Sequence, residues 1–271
     1  MILDLEKAEK SPRKLCKLLK DLSSDPDQDT VHQLRTQSRK LEALLHALSP
    51  DTSGKDGRIL KLLKPLRRTA GRVRDMDVLI AKTSSLSARV QSLSARARSE
   101  GLVGLIEHMS AIRTTDAQRL HRKVKRRQKE LRSLLKSFVR KLEGRQTPDH
   151  SGVPTHAESP QILAQKLENW PKLNQENLHE FRKGVKELRY MLQLMPEQDD
   201  HSLNPYSKVK DTVGDWHDWL ELKSMAESTL DHQEDATLLR EIRATLQQKF
   251  HAAMNVANSL RKRGIDMPRA A

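Results

Sequence analysis

Aromatic side chains make up only 3% of this 271-residue chain, which leaves few platforms of the kind on which single-stranded nucleic-acid binders stack successive bases. Cysteine is scarcer still. The single Cys16 excludes an internal disulfide, and without a second thiol there is no zinc-ribbon or redox-pair spacing, so no chemistry is assigned to it. No apolar run approaches the roughly 20 residues of a membrane-spanning helix. The acidic opening Met1-Ile2-Leu3-Asp4 lacks the charged-then-apolar layout of a secretory signal, so the expected location is the cytosol. There is no Gly-x-x-x-x-Gly-Lys-Ser/Thr loop and no clustered acidic metal site, which leaves nucleotide-dependent phosphoryl transfer and metal-assisted hydrolysis without an anchor.

Positive charge is what the chain has in excess. Fifty Lys and Arg against 36 Asp and Glu give a formal charge of +14 and a pI near 9.9, which implies an anionic partner. Hydrophobic content of 36%, charged content of 32% and a mean hydropathy of -0.73 suit helices with wide solvated faces. Between Arg113 and Arg145 there are 13 Lys or Arg and 3 acids. Leu120, Val124, Leu131, Leu134, Leu135, Phe138 and Leu142 recur there at helical spacing, so this segment reads as a long helix with one buried stripe. Its remaining faces, with Arg122, Lys123, Arg126, Lys129, Arg132, Lys136 and Arg140, form either a ligand wall or a solvated side.

Helical spacing recurs elsewhere, and hairpin signals with alternating β-branched residues do not, so the fold class is all-α. Helices are expected over about 4–21, 29–48, 56–83, 84–99, 102–143, 160–170, 175–195, 205–230 and 234–262. Asp25-Pro26-Asp27, Ser49-Pro50-Asp51 and Met195-Pro196 read as turns. Gly144 to Pro160 reads as a linker, dividing the chain into a first helical bundle, 1–145, a linker, 146–160, and a second bundle, 161–271.

The two halves share a pattern. Val31-His32-Gln33-Leu34-Arg35 lies over Leu178-His179-Glu180-Phe181-Arg182, with Arg39 over Lys186 and Leu41 over Leu188, 147 positions apart throughout. Gly71-Arg72-Val73-Arg74-Asp75 lies over Gly214-Asp215-Trp216-His217-Asp218, 143 positions apart. At about 100° per residue, Leu34, Leu41, Leu44, Leu45 and Leu48 form a core face, while His32, Arg35, Arg39 and His46 stack in a separate sector. The second copy places His179, Arg182, Lys186 and Arg189 opposite a core face of Leu178, Phe181, Val185, Leu188 and Leu192. Like charges at these spacings destabilise a helix unless something offsets them, and a bound anion would do so. Partial compensation by Glu42, Glu180 or Glu187 on a solvated face is the structural alternative. A histidine without an i, i+4 partner does not suggest a metal site.

These strings, together with Asp75-Met76-Asp77-Val78-Leu79, resemble the conserved-histidine α-helical domain, abbreviated CHAD, over nearly the whole chain. The resemblance implies two pseudo-symmetric helical bundles with long helices around a central basic channel. It also implies binding of inorganic polyphosphate, association with polyphosphate granules, and no catalysis, cofactor or metal. Carried over position by position, the ligand-facing residues would be His32, Arg35, Arg39 and Lys40 in the first half. In the second half they would be His179, Arg182, Lys183, Lys186 and Arg189. Lys64, Arg67, Arg68 and Arg72 before or within the first Gly-to-Asp element, and Lys208 and Lys210 before the second, would add to them. The second copy departs from the first in having Asp215-Trp216-His217 for Arg72-Val73-Arg74, which points to a weaker site at that end. Sulfate or phosphate in a crystal would be expected between the stripes.

Two other function classes use the same residues. A nucleic-acid backbone binder shares the charge argument, but it needs readers that the chain lacks: Trp170, Phe181, Trp216 and Trp219 fall where helix packing wants them. A phosphate-ester enzyme would use His32 or His179 with Asp75 or Asp218, yet those acids more simply neutralise nearby Arg or cap a helix. The Ser-rich stretch from Thr83 to Ser99 and the linker could dock a partner, though neither carries a signature.

Overall fold

The computed structural model describes residues 2–48, 54–86, 95–144, 152–154, 160–195, 202–231 and 235–262. Eight helices occupy most of them: α1 Leu5–Asp21, α2 Gln28–Leu48, α3 Gly54–Leu86, α4 Ala95–Glu143, α5 Pro160–Glu168, α6 Leu178–Leu192, α7 Asn204–Thr229 and α8 Ala236–Lys262. The all-α reading holds apart from one short ladder. In it β1 (Ile2–Asp4) pairs antiparallel with β2 (Gly152–Pro154), Leu3 facing Val153. Asp4 then ends the strand and starts the helix, its carboxylate accepting the Lys7 backbone N–H at 3.0 Å. Lys7 Nζ donates to the Met195 carbonyl at 2.9 Å, which ties the start of α1 to the turn that follows α6.

The separate helix expected over 84–99 is not observed. Its first residues complete α3, its last ones open α4, and the part between lies outside the described residues. No helix boundary falls between Thr83 and Ser84. Ser84 Oγ and Ser85 Oγ instead bond the carbonyls of Ile80 and Lys82 one turn back, and α3 runs on. At the other end of that helix, Gly54 has φ +66°, in the left-handed region that favours glycine. The turn read at Asp25-Pro26-Asp27 is present between α1 and α2. The Asp27 carboxylate accepts the Thr30 N–H at 2.7 Å, which starts α2 and holds that carboxyl below the usual range. The expected turns at 49–51 and 195–196, and the linker 146–160, fall wholly or mostly outside the described residues.

The apolar stripes meet in three clusters. Leu15, Leu34, Leu41, Leu66, Leu120 and Leu135 belong to a core made by α1–α4. Phe181, Val185, Val209, Trp216 and Ala257 belong to one made by α5–α8. A third cluster, with Met76, Leu79, Leu105, Trp219, Leu222 and Ile242, joins α3 and α4 to α7 and α8. Helices α2 and α3 pack on each other, as do α6 and α7, and α2 also touches α6 while α3 touches α7. These four helices therefore surround a common interior, one face of each being core and the next being turned toward the opposite pair. No helix among the described residues is long and apolar enough to cross a membrane.

Candidate anion-binding groove

A groove of about 990 Å³ opens between these four helices, with the middle of α4 at one rim. The pattern of α2 explains how its side chains reach it. Val31, Leu34, Leu41, Leu44 and Leu45 are buried in the first core, and residues one step round the helix, His32, Arg35 and Lys40, are left facing the groove. In α6, burial of Leu178, Phe181, Val185 and Leu188 turns His179, Arg182, Lys186 and Arg189 the same way.

Two glycines let the arginines lie flat against the neighbouring helix. Arg35 Nε is 3.5 Å from where a Cβ on Gly71 would stand. Arg182 presses closer, its Nε and Cζ both 3.1 Å from the corresponding position on Gly214, and its Nε donates to the Lys210 carbonyl at 2.9 Å. The pairing continues along α3 and α7. Val73 and Trp216 are both buried. Arg74 acts on His32, and His217 stacks on His179 with ring centroids 4.0 Å apart and planes 34° apart. Asp75 and Asp218 act on Arg35 and Arg182 respectively. The departure noted at Asp215 has a local explanation: its carboxylate accepts Lys249 Nζ of α8 at 2.8 Å and also pairs with Lys82 of α3, so its charge is used in joining α7 to both helices.

Cations crowd this interior with little to neutralise them. Among the described residues Arg35, Arg39, Arg182 and Lys186 have no ion pair, and Arg39 Nε is buried without a hydrogen-bond partner. Burial, reinforced by Arg39, Arg182, Arg35 and Lys210, pushes Lys186 down to about 6. Burial also pushes His179 to about 4, helped by His217, Lys183 and Arg182, and its Nδ1 is likewise buried without a partner. His32, Arg35, Lys40, Arg182 and His217 are all shifted down with loss of water as the leading cause. Loss of water, with neighbouring cations adding to it, thus disfavours the charged forms of these groups.

Of the residues expected to face a ligand, His32, Arg35, Lys40, Arg72, His179, Arg182, Lys186, Arg189 and Lys210 line the groove. Arg39 sits just behind the lining, where it acts on Arg35, Arg182 and Lys186. Lys64, Arg68, Lys183 and Lys208 are exposed and do not line it, because each lies a step further round its helix toward solvent. Lys183 ion-pairs with Glu180 at 2.6 Å. Arg67 turns away to pair with Glu42, and is still pushed down to about 10, first by burial and then by Arg39, Arg35 and Arg68. His46, in the last turn of α2, is exposed and outside the groove.

Sequence reasoning named Asp75 and Asp218 as partners of nearby Arg but missed Glu221. Asp75, Asp218 and Glu221 share the groove wall with His217, beyond the cationic cluster. Loss of water raises Asp75 and Asp218, and Asp75 is raised further by Asp218 and Glu221. The lining thus holds both a cationic group, in which Arg189 acts on Lys40, and a mixed group, in which Glu221 and His217 act on Asp75. The Asp of each Gly-to-Asp string was legible, but its position in the wall depends on how α3 crosses α7. Among the described residues no group of three or more His, Cys, Asp or Glu side chains is arranged to hold a metal ion.

The family model of the CHAD domain matches residues 8–227. The chain belongs to the CHAD domain family. No curated protein matches it in sequence. Among solved structures it is similar to PptA from Streptomyces chartreusis, at 13% identity and a TM-score of 0.66, over 95% of this chain and 98% of that one. A likeness at that identity supports the helical fold and adds nothing about ligands. Within the CHAD frame, the histidines that head the two stripes are His32 and His179, and both line the groove.

Proposed function

We propose that this CHAD protein is a non-catalytic receptor for inorganic polyphosphate, held in the groove between α2, α3, α6 and α7. The observation that carries this reading is the convergence of Arg35, Arg39, Arg182 and Lys186 without a paired carboxylate, beside Lys40, Arg189 and Lys210. Polyphosphate offers about one negative charge per repeat and no bases. Arginine forks give bidentate contacts to phosphate oxygens, lysines give point charges, and the histidines donate from a ring nitrogen. Shallow contacts with many phosphates release counterions, so affinity falls steeply with salt. A long chain engages more of the groove than a short one and gains avidity from it.

The aromatic residues favour polyphosphate over nucleic acid. Phe181, Trp216 and Trp219 are buried, and of the Phe, Tyr and Trp residues only Tyr190 lines the groove, which leaves bases little to stack on. In the same reading the two halves, 1–145 and 161–271, are copies of one unit joined through 146–160. The matched pairs Arg35 with Gly71 and Arg182 with Gly214 support it. A cytoplasmic location on polyphosphate granules belongs to this reading as well. The test is Arg35→Glu combined with Arg182→Glu: polyphosphate affinity should fall at least tenfold while the helical circular-dichroism signal stays intact. Unchanged affinity in a folded double variant would remove the site.

A further inference from the structure

The basic character does not stop at the groove rim. Arg72 and Asp116, which line that rim, face each other across the seam between α3 and α4 at 3.1 Å. The same Asp116 oxygen also accepts Arg119 Nη1 at 3.1 Å, so one carboxylate serves two guanidinium groups. One turn beyond Arg119, Lys123 reaches across the seam and donates to Thr69 Oγ1 at 2.7 Å. A further turn along the same face is Arg127, and on α3 Arg68 stands one turn before Arg72. Loss of water lowers the affinity of Lys123 for a proton, and Arg72, Arg127 and Arg119 lower it further. Among the described residues neither Arg68, Lys123 nor Arg127 has an ion pair.

The rest of the seam is built differently. Further from the groove, Arg58 pairs with Glu130 at 2.6 Å, and Lys141 pairs with Asp56 at 3.0 Å. Where α3 and α4 bring cations together away from the groove, they also supply acids. Between Lys64 and Arg72 on α3 and between Asp116 and Arg127 on α4 the only acid is Asp116, already shared. Like charges one turn apart are mutually destabilising, so a general need for solubility does not account for leaving this half of the seam uncompensated.

We infer that the α3–α4 seam, from Arg72 through Arg119 and Lys123 to Arg127, is a second binding track that holds the part of a long polyphosphate chain leaving the groove at the Arg72 rim. The inference rests on the polyphosphate reading of the groove and extends it. Short phosphates are satisfied inside the groove, and long chains gain the extra contacts, so the seam acts as a selector of chain length.

The test compares Arg119→Gln/Arg127→Gln with the groove variant Arg35→Glu/Arg182→Glu, each titrated with tripolyphosphate and with long-chain polyphosphate at several salt concentrations. The seam variant should bind tripolyphosphate as the unaltered protein does. It should bind the long chain at least fivefold more weakly, with the salt slope reduced by about one to two units for the two charges removed. The groove variant should lose both ligands. Unchanged long-chain affinity and slope in the seam variant, or an equal loss of tripolyphosphate, would overturn the track. A groove variant that keeps both ligands would overturn the groove reading instead, so the two failures are distinct.

Discussion

The Arg182 guanidinium lies across Gly214, with Nε and Cζ each 3.1 Å from where a Cβ would stand, and is anchored by the Lys210 carbonyl. Arg35 lies over Gly71 in the other half, but at 3.5 Å, an ordinary contact distance. The two glycines therefore differ in what they tolerate.

Gly71→Ala should be stabilising or neutral, by up to about 1 kcal/mol from helix propensity, with polyphosphate affinity within twofold of the parent. Gly214→Ala should keep the fold but drive Arg182 off the Lys210 carbonyl, weakening binding at least fivefold. Paired melting curves and titrations of the two variants would show the difference; equal behaviour would mean that Arg182 does not depend on Gly214.

Lys186 is the residue on which stability and binding should pull apart. Charge on it is opposed by burial and by Arg39, Arg182 and Arg35. Lys186→Met should therefore raise the stability of the ligand-free protein by about 1 kcal/mol or more, a few degrees in Tm, and lower polyphosphate affinity. A lower Tm with unaltered binding would contradict the account.

The same group sets a pH dependence. Lys186 has a folded value of about 6, against about 10.4 for an ordinary lysine. Between those values the unfolded chain carries the extra proton, so the Lys186 contribution makes the ligand-free protein more stable as pH rises from 6 to 10. Bound polyanion favours the protonated amine, so binding near pH 7.5 should take up protons and weaken as pH rises. Calorimetric titrations in buffers of different ionisation enthalpy measure the uptake; zero uptake in the parent, or uptake unchanged in Lys186→Met, would contradict it.

Arg113 makes the opposite prediction, although it opens the most basic stretch of the chain. Its Nε donates to buried Asp77 at 2.9 Å, its Nη1 pairs with Asp25, and its Nη2 donates to the Pro26 carbonyl at 2.6 Å. Arg113→Met leaves the Asp77 carboxylate uncompensated and should cost about 3 kcal/mol of stability. Polyphosphate affinity measured well below the new Tm should be unchanged; a loss of affinity larger than the loss of stability would place Arg113 in the binding machinery.

The helices were legible because their apolar stripes are long and regular, and Val31, Leu34, Leu41 and Leu45 are all fully buried. The two stripes headed by His32 and His179, which line the groove, were legible from the sequence pattern that the two segments share. The boundary expected between 83 and 84 is absent because the Ser84 and Ser85 hydroxyls bond carbonyls a turn back and let α3 continue, as Thr83 Oγ1 also does on the Leu79 carbonyl. The divided role of the flanking lysines and arginines was not legible. Arg67 and Arg72 sit five residues apart on one helix, yet Arg67 meets Glu42 and Arg72 meets Asp116, partners that only the packing of α2 and α4 against α3 brings into reach. For the same reason the basic run of α4 could not be sorted into structural Arg113 and exposed Arg122, Arg126, Lys136 and Arg140.

The central claim is most directly tested by a competition titration at fixed, near-physiological salt, setting long-chain polyphosphate against charge-matched single- and double-stranded DNA and RNA. Preference for long-chain polyphosphate by at least tenfold, about 1.4 kcal/mol, is the predicted result. Equal affinity for nucleic acid would contradict the polyphosphate receptor and leave a groove that binds any polyanion.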